Sequence, residues 1–144
     1  MGSSYSATIA RVCLGQAHFL VGDFAEAVKE SRVALDMMHE RNNVLEVLTQ
    51  TLSTLSESLR RLGDHAAAVD AGRKAIETAE QQPCIADGVR AQTVLGLALI
   101  EQGGSNHRGE AEACLKGAKT WLDESGARGM ETRVEELEQK LASL

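Results

Sequence analysis

The chain holds 144 residues, enough for one domain with a buried core if its elements stack on one another. Its 21 acidic residues against 15 basic ones leave a formal charge of -6, which opposes phosphate backbones and anionic lipid surfaces and so excludes nucleic acid as a direct ligand and a membrane as a partner. Few aromatic residues, a single proline and a large share of Ala, Leu, Glu and Gln make a helix composition.

In chain order, Met1-Gly2-Ser3-Ser4 reads as an expression leader, residues 1–4, ahead of a first helix that stops at Gly22-Asp23. A second helix starts there, because Asp23 can accept from the free amides of the first turn and Glu26, three residues on, can complete a capping box. It ends at Arg41-Asn42-Asn43. In the third helix Leu48, Leu52, Leu55, Leu59 and Leu62 recur at steps of four and three, one apolar stripe along a helix face. Gly63-Asp64 repeats the stop and the cap before a fourth helix, which ends at Gln82-Pro83. A fifth and a sixth helix are separated by Gly103 to Gly109, and Gly126 to Gly129 precedes a seventh. In the seventh, Val134, Leu137, Leu141 and Leu144 make a narrow apolar seam among charges. No run with period two appears, so the expected fold class is all-α.

The chain also repeats itself. Gly22-Asp23-Phe24-Ala25-Glu26-Ala27-Val28 aligns with Gly63-Asp64-His65-Ala66-Ala67-Ala68-Val69, 41 residues later. Leu14-Gly15 sits over Leu55-Ser56 and over Leu95-Gly96; Ala27 and Ala34 sit over Ala68 and Ala75, then over Ala111 and Ala118. Small residues at such positions let two antiparallel helices approach closely while leucines fill the groove beside them.

The run Leu14-Gly15, Gly22-Asp23-Phe24, Ala27, Ala34 resembles the tetratricopeptide repeat (TPR) family in its long-repeat form. The resemblance implies a right-handed superhelix of three antiparallel helix hairpins, about 5–41, 43–82 and 84–126, in residues 5–126. Residues 127–144 then form a C-terminal capping helix, which a solenoid needs to cover its last apolar face. Arg11, His39 and Ser56 depart from the family pattern, and Gly104 to Arg108 is an insertion in the third hairpin's turn. Trp121 to Arg128 is similar to hairpin ends in large bacterial signalling and regulatory proteins, of which the chain would be a fragment.

Nothing in the sequence calls for catalysis, a metal or a cofactor. His18, His39, His65 and His107 have no Cys, Asp or Glu at ligand spacing, and His18 falls where the family packs a ring in the hairpin core. Glu135, Glu136 and Glu138 read as a solvated face. Cys13, Cys84 and Cys114 form no CxxC pair, suit a reducing cytoplasm, and read as small buried hydrophobes.

In the family the outward face of each first helix lines a concave groove. That register selects Gln16 and Phe19 on the first helix, then Gln50, Ser53, Glu57, Arg60 and Arg61 on the third. On the fifth it selects Arg90, Thr93, Leu97 and Glu101. The arginines either grip a carboxylate of a bound protein or peptide, or pair with Glu57 and Glu101 as surface ions. Val12 and Gln16 stand where chaperone-binding members begin their Lys and Asn clamp, which disfavours a chaperone tail. Ile9, Val12, Phe19 and Leu20 form an apolar set with two readings: the seat of a preceding repeat, or a homodimer contact. The expected function is a cytoplasmic scaffold that binds a peptide or helix in its groove. The alternative is an effector-sensing domain of a bacterial regulator.

Overall fold

A computed structural model describes residues 2–81, 84–103, 105–126 and 129–144. The expected breaks at Gln82-Pro83, Gly104 and Ala127-Arg128, and Met1 of the expected leader, lie outside them. Among the described residues there are seven α-helices and no strand: α1 (Gly2–Leu20), α2 (Phe24–Arg41), α3 (Leu48–Arg61), α4 (His65–Gln81), α5 (Ile85–Gln102), α6 (Arg108–Ser125) and α7 (Glu131–Ala142). Short 3₁₀ turns at Leu45–Val47 and Ser105–His107 lead into α3 and α6. No described helix is long and apolar enough to cross a membrane.

The first two hairpin turns are built alike. In each, a glycine at positive φ (Gly22, 84°; Gly63, 86°) ends one helix and the next residue, aspartate, begins the other. The Asp23 amide donates to the His18 carbonyl at 2.8 Å, and the Asp64 amide donates to the Leu59 carbonyl at 3.0 Å. Their carboxylates accept from the amides of Glu26 and Ala67, both at 3.3 Å. The expected capping box is therefore only half made: the Asp23 amide already serves the helix before it, and the Glu26 carboxylate lies 3.8 Å from Lys29.

Helices pair as α1/α2, α3/α4 and α5/α6, and each pair stacks on the next, with α7 against α5 and α6. The small residues sit at the crossings: Ala27, Ala34, Ala68, Ala75, Ala111 and Ala118 are all fully buried. A Cβ on Gly15 would come 2.9 Å from the Ser31 hydroxyl. The core runs along the stack, through Val12, Ala34, Met38 and Val44 at one end, Leu55, Leu59, Leu95 and Leu99 in the middle, and Val89, Ala118 and Val134 at the other.

Helix α3 lies inside the stack, touching α1, α2, α4 and α5, and every residue from Thr51 to Leu59 is buried. Four of its hydroxyls bond to carbonyls in that dry setting: Thr51 to Val47 at 2.8 Å, Thr54 to Gln50 at 3.0 Å, Ser58 to Thr54 at 2.7 Å, and Ser56 across to Ala68 at 2.6 Å, whereas the buried Ser53 hydroxyl finds no partner among the described residues. The leucine stripe ends sooner than its spacing suggests, since Leu62 is the C-cap and half exposed. At the amino end, Ser4 is part of α1, and its carbonyl accepts from Thr8 and Arg41.

Candidate binding groove

The inner faces of α1, α3 and α5 meet the entrance to α7 around a cavity of about 340 Å³. Helix α1 contributes Gln16, Phe19 and Leu20; α3 contributes Gln50 and Thr54; α5 contributes Ala86, Asp87 and Arg90; Met130 and Arg133 close the far side. One wall is apolar, from Phe19, Leu20 and Met130. The rest carries two carboxamides, two guanidiniums and a carboxylate.

Beneath the cavity lies Glu57, its side chain 6% exposed. It accepts from Arg133 Nη1 at 2.6 Å and from Arg90 Nε at 3.5 Å, while Arg90 Nη2 also donates to the Thr54 hydroxyl at 3.1 Å. Two guanidiniums thus share one carboxylate, which leaves several of their N–H donors without an anion. A second cluster continues along the same face. Glu101 accepts from Arg60 Nη1 at 2.7 Å, with Lys140 at 3.6 Å and His65 Nδ1 at 3.8 Å. Arg133 and Lys140 both belong to α7, so the terminal helix is fastened to α3 and α5 by charge as well as by Leu137, which is fully buried beside Gly96.

Gln16, Phe19, Gln50 and Arg90 come together in the cavity as the repeat register anticipates, and Leu20 joins them. Glu57 does not line the cavity; it is buried behind Arg90 and Arg133, which it pairs with. Arg60 and Glu101 pair with one another, and Arg61 points elsewhere, its guanidinium 4.8 Å above the Phe24 ring. Ser53, Thr93 and Leu97 are buried and closed to a ligand: they fall at helix seams, with Thr93 bonded back to Val89 and Arg90 and Leu97 in the central core. The expected self-association set is not one surface. Val12 is buried with Ala34, Met38 and Val44, Ile9 packs on that cluster, and Phe19 meets Phe24 edge-on at 5.8 Å; of the four only Leu20 stands fully exposed.

Thr54, Ala86, Asp87, Met130 and Arg133 are lining residues that the repeat register does not select. Asp87 had a local signal, since it lies three residues before Arg90 on the same helix face. Arg133 had none, because only the folded position of α7 brings it to Glu57. His18 is partly exposed, 3.7 Å from the Asp23 carboxylate, and not in the core. Cys13 and Cys84 are exposed; Cys114 alone is buried, and burial pushes its thiol up to about 12.

No protein-family model matches the sequence, and no curated protein matches it significantly. Among solved structures the chain superposes on the TPR2B domain of yeast Sti1, solved as a complex with pHsp70, with a TM-score of 0.72. The match is 20% identical and covers 94% of this chain and 96% of that one. The fold is that of tetratricopeptide repeats. In TPR terms α1, α3 and α5 are the first helices of three hairpins, α2, α4 and α6 the second, and α7 the cap. The cavity lies on the side that the first helices face.

Proposed function

We propose that this chain is a protein-interaction module whose groove takes an extended peptide segment bearing an apolar side chain next to a carboxylate. The observation that carries the reading is the convergence of Gln16, Gln50, Arg90 and Arg133 around an apolar wall of Phe19, Leu20 and Met130. A carboxamide both donates and accepts, which matches the alternating N–H and C=O groups of a backbone. The arginines, sharing Glu57, retain donors for a second carboxylate. Asp87 has no ion-pair partner among the described residues and supplies an acceptor at the groove edge. An enclosed pocket would favour a small effector instead; Leu20, 81% exposed at the rim, leaves this one open along α1.

Peptides selected from a displayed random library on the immobilised protein test the reading. Binding of the selected peptides should weaken roughly tenfold in Gln50→Ala and in Gln16→Ala, about the worth of one hydrogen bond. Helical content should stay unchanged. Peptides that bind both variants as tightly as the parent protein would place recognition outside the groove.

A further inference from the structure

The second charged cluster, further along the groove face, is short of acceptors. Glu101 takes one hydrogen bond, from Arg60 Nη1 at 2.7 Å. Lys140 at 3.6 Å and His65 Nδ1 at 3.8 Å lie near the same carboxylate but beyond hydrogen-bonding distance. Arg60 Nε and His65 Nδ1 are buried with no hydrogen-bond partner among the described residues. A buried polar nitrogen left unpaired is costly, so two of them in one cluster mark a place where a partner is missing. Charge points the same way. Arg60 and Lys140 stand against Glu101 alone, one cation in excess, in a chain whose formal charge is -6. The Lys140 and His65 side chains are 41% and 34% exposed, so the cluster is open to solvent on that side.

We infer that Arg60, His65 and Lys140 form a second anion subsite, which takes a side-chain carboxylate of the bound peptide and which presupposes the peptide groove proposed above. Spacing allows one peptide to reach both clusters. Arg133 of the first and Lys140 of the second are seven residues apart on α7, which places them on one side of the helix, about 10 Å apart along its axis. A polyproline-II segment advances about 3.1 Å per residue and returns to the same side every third residue, so it covers that gap in three. An acidic residue held by Arg90 and Arg133 therefore sets a second one, three places along, at Arg60 and Lys140. An ionised carboxylate only accepts, which is what the cluster lacks, and the Lys140 ammonium and Arg60 guanidinium donate to it in charge-assisted bonds.

Peptides selected on the immobilised protein from a random library whose chain ends are blocked should carry two acidic residues three places apart. Changing the second acidic residue to its amide should weaken binding to the parent protein about fivefold. In Lys140→Ala the acid and amide peptides should bind equally, and in Lys140→Arg the preference for the acid should return. Lys140 is partly exposed near the end of α7, so circular dichroism should not change. Selected peptides without a second acidic residue overturn the subsite. So does a Lys140→Ala variant that weakens the acid and amide peptides alike, the result expected if Lys140 only fastens α7. Both outcomes leave the groove standing as long as Gln16→Ala and Gln50→Ala still weaken binding; indifference to those two changes removes the groove, and the subsite with it.

Discussion

Gly88 faces Trp121 so closely that a Cβ would fall 2.2 Å from the ring, while at Gly109 a Cβ would meet nothing within 4 Å. The same substitution should therefore have opposite signs at two glycines of neighbouring helices. Gly88→Ala has to displace a bulky ring in a packed end of the core and should cost about 1–3 kcal/mol. Gly109→Ala removes only the conformational freedom of the unfolded chain and should add roughly 0.5 kcal/mol. Urea denaturation midpoints of the two variants check both. At this scale the sequence was readable where one residue type recurs: the alanines at the crossings stand out because they return in each copy, and each is buried. It was unreadable where residues from distant segments meet. Nothing near Arg133 signals Glu57, and nothing near Met130 signals Phe19.

Helix α3 explains how an element can be identified correctly and its faces misjudged. Its leucines mark one buried face, and the remaining Thr, Ser and Glu residues look like a solvated one. The helix is central, however, so both faces are covered, and hydroxyls that bond back to their own helix make the second face tolerable in the dry interior. Ser53 is buried by the same central placement although its own hydroxyl finds no partner among the described residues, while Gln50, nearer the start of the helix, lines the groove. Between α4 and α6 a different device operates. Arg73 donates to both oxygens of Glu110, at 2.9 and 2.8 Å, and this pairing holds the Glu110 carboxyl below the usual carboxylate range. A depressed carboxylate stabilises the fold at neutral pH, and the contribution is lost as pH falls through the lowered value. Arg73→Ala should accordingly flatten the acid limb of a stability-against-pH curve. Thermal melts from pH 7 down to pH 3 would show the parent and variant converging at the acid end.

As a whole, the molecule is a short stack whose two ends differ. The carboxyl end is closed by α7, pinned through Leu137 at Gly96 and through Arg133 and Lys140 at the two buried or half-buried glutamates. The amino end is bare along α1. The fold class and the hairpin order were legible because period and repeat are local properties of a chain. The groove was legible only in part, since the register that locates its inner helices says nothing of where a terminal helix comes to rest.

The twin turns at Gly22-Asp23 and Gly63-Asp64 have one more implication: they make the chain divisible. Each turn is held by bonds within a few residues of itself, and the two are chemically interchangeable. Excising residues 23–63 joins Gly22 directly to Asp64 and rebuilds the same turn, with α1 taking the place of α3 beside α4. The shortened chain should fold as a two-hairpin protein and unfold with an enthalpy about 30 kcal/mol smaller, as expected for some forty fewer residues. Calorimetry would show whether this solenoid can be shortened by one period like a strip of identical links.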